Sequence, residues 1–188
     1  GGIWMMDAPT AVTNTTFSGN RAESPTTSGN GGAMALYGPA DIVNATIADN
    51  FAGWVGGGIA ASGDDTVTVT NTIFSNNTAD NGPNDWGIQQ HTNRELTDGG
   101  GNIQWPEKLT NNFNDYNATA SIAIADPLLG SLQNENGTYF YPLLEGSPAI
   151  DAGVDAATST DQLGEPRPID GDGNGTAEFD IGAYEFGT

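Results

Sequence analysis

The chain has 188 residues, enough for one domain, and carries 4 basic against 24 acidic side chains for a formal net charge of −20. That balance excludes partners whose phosphates, sulfates or anionic headgroups reward clustered Lys and Arg, and so speaks against nucleic acid and acidic membranes while favouring divalent cations. With no cysteine there is no disulfide or thiolate metal site, and with no run of 18 apolar residues there is no membrane insertion by a helix.

The first 80 residues state one pattern three times. Gly1-Gly2-Ile3 leads through Asn14 to Phe17-Ser18-Gly19-Asn20; Gly31-Gly32-Ala33 leads through Asn44 to Ile47-Ala48-Asp49-Asn50; Gly57-Gly58-Ile59 leads through Asn71 to Phe74-Ser75-Asn76-Asn77. The two Asn of each copy are six residues apart, and successive copies step by 30 and then 27 residues, which is the period of a solenoid. Within each copy a Gly-Gly turn precedes a short apolar strand, then an alternating strand (Ala11-Val12-Thr13, Asp41-Ile42-Val43, Val67-Thr68-Val69-Thr70), then a third short strand with Phe17, Ile47 or Phe74. Amphipathic helical periodicity is missing. The expected fold is all-β, a right-handed parallel β-helix (β-solenoid) with an irregular C-terminal cap. Phe17, Ile47 and Phe74 are expected to stack inside it. Asn20, Asn50 and Asn77 are expected to form an amide ladder at a corner whose left-handed backbone Asn tolerates.

The step from Gly58 to Gly101 is 43 residues, so about 81–97, with Trp86, the only His (His91) and Arg94, reads as an insertion, and His91 as a surface residue within it. The expected organisation is therefore 1–104 as coils with that insertion, and 105–188 as last coils and a C-terminal cap bearing an acidic metal loop. Six of the ten prolines lie beyond Trp105, where strands become short and irregular. The chain opens at Gly1 inside a repeat without an initiator Met, which reads as a matured fragment or the later part of a longer polypeptide. Its Ile3, Trp4 and Met5 form a candidate assembly edge, to be covered by end-to-end self-association or by the missing part of that polypeptide.

Two sets of motifs carry a resemblance. Gly31-Gly32-Ala33-Met34 and Phe17-Ser18-Gly19-Asn20 resemble the short paired motifs of polymorphic outer-membrane protein repeats. Gly99-Gly100-Gly101-Asn102-Ile103-Gln104-Trp105-Pro106, Ala125-Asp126-Pro127-Leu128-Leu129-Gly130, Gly146-Ser147-Pro148-Ala149-Ile150-Asp151-Ala152-Gly153 and Asp180-Ile181-Gly182-Ala183-Tyr184-Glu185-Phe186 resemble the C-terminal region of bacterial surface β-helix proteins of the choice-of-anchor type. The resemblance implies an extracellular or cell-surface right-handed β-helix among adhesive and scaffold proteins that share no reaction.

The sharpest chemical signal is Asp170-Gly171-Asp172-Gly173-Asn174-Gly175-Thr176-Ala177-Glu178-Phe179-Asp180. Oxygen side chains at Asp170, Asp172 and Asn174, a turn glycine, the Thr176 carbonyl and a closing Glu178 or Asp180 suit one calcium ion. Catalysis is poorly supplied. A lyase on acidic sugars needs a basic residue, and Arg21, Arg94, Lys108 and Arg167 are dispersed. A glycosidase needs two facing carboxylates; Asp64-Asp65 reads as a solvated corner in a Gly-rich turn, and Asp85, Asp98 and Asp115 qualify only by being acidic. Trp4, Trp54 and Trp86 are candidate contact or sugar-stacking residues, Trp105 beside Pro106 a packing residue. Six Asn-X-Thr sequons (Asn14, Asn44, Asn76, Asn117, Asn136, Asn174) leave glycans as a possible partner. The sequence thus reads as a non-catalytic extracellular structural or adhesive solenoid, a possible subunit of a cell-surface filament; the alternative is a polysaccharide-binding or polysaccharide-degrading β-helix protein.

Overall fold

A computed structural model describes residues 1–23, 29–80 and 90–187. The three repeats are three stacked coils. The first holds β1 (Ile3–Met6), β2 (Thr10–Ser18) and β3 (Arg21–Ala22); the second β4 (Met34–Tyr37), β5 (Ala40–Ala48) and β6 (Phe51–Ala52); the third β7 (Ile59–Ala61), β8 (Val67–Ser75) and β9 (Thr78–Ala79). Like strands pair in parallel from coil to coil and form three sheets. The protein is a parallel β-solenoid.

The second and third strands expected from each repeat are one strand bent at an asparagine. Asn14, Asn44 and Asn71 have φ of 50°, 51° and 47°, in the left-handed region that Asn tolerates best after Gly. The bend shifts the alternation by one residue. Val12, Ile42 and Val69 point inward before it, and Phe17, Ile47 and Phe74 point inward after it, so both halves of the strand feed one core. Register pairs Phe17 with Ile47 and Ile47 with Phe74. At the next corner it is Gly19, Asp49 and Asn76 that take positive φ; the ladder residues Asn20, Asn50 and Asn77 follow them.

The excursion after coil 3 is shorter than its sequence suggests. Gly57 N and Gly58 N donate to Gln90 O (2.6 Å) and His91 O (3.0 Å), and Thr92 bridges to Ile59, so the stack resumes at Gln90. Residues 81–89, with Trp86 and Asp85, lie outside the described residues. β10 (Thr97–Asp98) and β11 (Ile103–Trp105) pair with β8, and β12 (Ala123–Ile124) with β11. Residues 106–122 close this end: Ala118 and Ile122 complete the apolar core, and Gln104, at the place of Phe74 one coil on, accepts Ala118 N (2.8 Å).

Past the antiparallel hairpin of β13 (Gln133–Glu135) and β14 (Thr138–Phe140), the remaining chain does not cap the end. It runs back along the flank as a strap, from coil 3 to coil 1. Val154 exchanges hydrogen bonds with the Asn71 side chain (2.7 and 2.8 Å), Asn44 Nδ2 donates to Thr158 Oγ1 (2.7 Å), and Asn14 Nδ2 donates to Thr160 O (2.8 Å). The outward residues Ile73 and Ile103 are buried beneath it against Leu143, Ala149 and Ile181, forming a second core.

Candidate functional site

The acidic loop is a tight turn held by its own carboxylates. Asp170 accepts Asn174 N (3.0 Å) and Gly175 N (2.8 Å), Asp172 accepts Asn174 N (2.9 Å), and Asn174 Oδ1 accepts Thr176 N (2.8 Å). Asp170 and Asp172 are joined by Asp151, which lies 19 residues upstream and accepts Asp172 N (2.7 Å). Oxygens of Asp151, Asp170 and Asp172 all lie within 4.8 Å of one another, three hard-oxygen donors of the kind that hold a divalent metal ion. Asn174, Thr176 and Glu178 are exposed beside it, and Glu178 forms an isolated bridge with Ile169.

Asp180, expected to close the metal shell, turns the other way. Its carboxylate is buried, accepting Asp151 N (2.7 Å) and Phe186 N (2.6 Å). Burial, with smaller contributions from Glu185 and Asp151, pushes it up to about 7 against the pull of those hydrogen bonds. It belongs to a knot in which Arg167 Nε meets Glu185 Oε2 at 2.8 Å, both side chains fully buried. Burial also pushes Glu185 upward, opposed by Arg167.

The Asn ladder is continuous. Asn20 N and Nδ2 donate to Asn50 Oδ1 (2.9 and 3.0 Å), and Asn50 N and Nδ2 donate to Asn77 Oδ1 (3.2 and 2.9 Å). A second ladder joins Asn71 to Asn44 and Asn44 to Asn14, at 3.0 Å each. Its signal was present in the sequence, as the first Asn of each repeat. Its role was hidden because it serves the strap as well as the stack.

His91 is fully buried, not a surface residue, because Gln90–Thr92 belong to the fourth coil. It ends the first ladder: Nδ1 faces Asn77 Nδ2 at 3.3 Å and Nε2 faces Pro106 O at 3.1 Å. The ring is therefore neutral, its Nε2–H donating to the carbonyl and Nδ1 accepting from the amide. Burial lowers its pKa to about 4, despite the Pro106 hydrogen bond and the Asp115 charge. A folded-state pKa below the unfolded value of about 6.5 means that the unfolded chain takes up the proton first. Stability is thus expected to fall as pH drops from above 6.5 towards 4, by at most about 3 kcal/mol from this residue. The check is a series of urea titrations across that range. The difference between wild type and His91→Asn should carry this slope, isolating it from the other carboxylates.

The acidic residues of the coils are equally committed. Asp115 accepts Gln90 N, Gln90 Nε2 and Leu109 N at 2.7–3.0 Å. For Asp98, burial alone would raise the pKa. Hydrogen bonds from Ser121 Oγ, Gly100 N, Thr119 Oγ1 and Asn102 Nδ2 outweigh it and hold the carboxyl below its ordinary value. Arg94 caps the Asp64-Asp65 turn by donating to Ser62 O and Asp65 O.

Of the described tryptophans, Trp4 is 64 % exposed, its ring edge-to-face with Tyr37 at 6.4 Å, and Trp54 is half-buried. Trp105, expected to pack, is 39 % exposed because β11 turns it outward, after the buried Gln104. Among the sequons Asn44 is fully buried in the second ladder, Asn14 and Asn117 are partly buried, and Asn76, Asn136 and Asn174 are exposed. Ile3 and Met5 are partly buried against the core at the outer edge of coil 1. Comparisons with protein-family models, with curated proteins and with solved structures found no match.

Proposed function

We propose that the chain is a non-catalytic structural or adhesive β-solenoid of the cell surface, with calcium bound at Asp151, Asp170 and Asp172. The observation that carries this reading is the state of three titratable groups of the coil stack, His91 and Asp115 buried and Asp98 half-buried. His91, Asp98 and Asp115 are each saturated by structural hydrogen bonds, which leaves none of them free to exchange a proton with a substrate. The acidic surface and the resemblance of the tail to surface β-helix proteins support an extracellular location. Calcium in this reading ties the Asp170–Thr176 turn to Asp151 and so steadies the strap against the coils.

Calcium should raise the melting temperature of metal-stripped protein, since a ligand of the native state stabilises by mass action, about 2.7 kcal/mol at a hundred times its dissociation constant. Asp172→Ala and Asp151→Asn should each abolish the response, and Glu178→Gln should leave it. A melting curve indifferent to calcium removes the metal from the reading.

One groove favours the carbohydrate alternative. It encloses about 590 Å³ between the hairpin and the strap, with Glu135 and Glu165 among its lining residues and Phe140 and Tyr184, stacked at 5.4 Å, at its wall. A screen of neutral and acidic polysaccharides should release no product. Cleavage that disappears in Glu135→Gln or Glu165→Gln would replace the scaffold reading with a hydrolase. Surface digestion of intact source cells, followed with an antibody to the chain, tests the location.

A further inference from the structure

The hairpin and the strap face one another across the groove of about 590 Å³, and each side is fixed by its own contacts. On the hairpin, Gln133 pairs with Phe140, so their side chains share one face of the ribbon with Glu135 and Pro142, two residues further along each strand. On the strap, the Asp161 carboxylate accepts Leu163 N (2.7 Å) and Glu165 N (3.0 Å) and pins the turn that brings Leu163 and Glu165 to the groove. Gln162 braces the two sides. Its Nε2 donates to Tyr139 O (3.0 Å), and its Oε1 accepts from Thr16 Oγ1 (2.6 Å) on coil 1. With the Phe140 and Tyr184 rings stacked as well, the groove is preorganised and loses little freedom on binding.

Its charge is uncompensated. Glu135 on the hairpin and Glu165 on the strap are exposed, and no basic residue lines the groove. The ion pairs among the described residues are Arg21 with Glu23 and Arg167 with Glu185, so neither groove carboxylate has a cation of its own. The rest of the lining is chiefly apolar, with Phe140, Pro142, Leu163 and Ile169. A bare metal ion is a poor match, because Glu135 and Glu165 belong to no group of three convergent carboxylates. A neutral saccharide can donate hydroxyls to both carboxylates but neutralises neither. Lys and Arg side chains combine an apolar stem with a cationic tip, and a chain of net charge −20 attracts partners that carry them.

We propose that this groove docks an extended segment of a partner protein, with a basic side chain for each of Glu135 and Glu165 and with proline or aliphatic residues against Phe140, Pro142, Leu163 and Ile169. The volume suits a short stretch of chain rather than a folded surface. The inference rests on the adhesive part of the proposed function and gives it a class of partner.

The test titrates the whole chain against short fluorescent peptides in which two arginines flank a Pro-Leu-Pro core, read by anisotropy. Saturable binding is expected below about 1 mM. Glu135→Gln and Glu165→Gln should each weaken it about tenfold. Raising NaCl from about 50 to about 500 mM should do the same. Exchanging the Pro-Leu-Pro core for glycine and serine should weaken it severalfold. The double variant Glu95→Gln with Glu107→Gln removes the same charge from exposed sites outside the groove and should change it less than about twofold. Absence of saturable binding overturns the proposal. So does an equal loss in the Glu95 and Glu107 variant, which would reduce the attraction to net charge. A neutral oligosaccharide that shifts the amide resonances of Phe140 and Leu163 where the peptides do not would assign the groove to a saccharide instead. Failure of the titration leaves the coil scaffold and its location as they stand, and a chain found inside the cell or cleaving polysaccharide would not alter the titration.

Discussion

Asn50→Ala will be among the most damaging single substitutions in this protein, costing about 3–5 kcal/mol. Asn50 is fully buried at the middle of the first ladder. Its Oδ1 satisfies two donors of Asn20, and its Nδ2 serves Phe17 O, Ala48 O and Asn77 Oδ1 at 2.9–3.0 Å. Alanine removes all of these. Each buried group left unpaired costs about 1–3 kcal/mol, and at least two are stranded. Asn20→Ala, at the end of the same ladder, should cost about 1 kcal/mol, because the backbone N–H of residue 20 still donates to Asn50 Oδ1. Urea unfolding of the two variants side by side checks the contrast. Equal costs would mean that the ladder contributes only local corner geometry.

Arg167→Ala is the second large effect, and it acts on the strap. Arg167 and Glu185 form an ion pair with no solvent exposure, and the guanidinium also donates to Gly182 O and, at its margin, to Tyr184 O. Removing the cation leaves Glu185 beside Asp180, two carboxyls already pushed upward by burial. Breaking such a pair from one side costs about 3–5 kcal/mol, while replacing both partners with apolar groups of similar volume is often close to neutral. The double variant Arg167→Met with Glu185→Leu should therefore recover most of the loss. The strap covers Ile73 and Ile103, so Arg167→Ala should also increase binding of a hydrophobic dye and speed exchange at Val154 and Gly182 before the coils melt. Unfolding in a single step at unchanged stability would show that the knot is not what holds the strap down.

Much of the coil stack was legible because a solenoid writes its tertiary contacts into its period. In the long strands a residue and its partner one coil away are 27 or 30 positions apart, so stacking Phe17, Ile47 and Phe74 in one column required only counting. The bend inside the long strands was not read. Alternation on either side of Asn14 looks like two strands until a left-handed residue is placed between them. His91 was misplaced for a related reason. The fourth coil lacks the Gly-Gly start, and only the hydrogen bonds from Gly57 and Gly58 show where the stack resumes.

The metal loop divides along the same line. Spacing alone placed Asp170 and Asp172 on one turn, since a turn is a local object in which alternate side chains converge. Spacing could not supply Asp151 or withdraw Asp180, because both depend on how the strap folds over itself.

By itself the sequence determined the coil repeat, the inward columns, one of the two Asn ladders and the candidate carboxylates of the loop, all of which follow from local geometry or from a fixed step between copies. Only the tertiary structure decided that the stack is closed after its fourth coil by His91, Gln104 and residues 106–122. It also decided that the last quarter of the chain lies along the flank. Those features arise where the period stops. Beyond it, contacts such as Asn14 with Thr160 join residues 146 positions apart with no repeating step to reveal them.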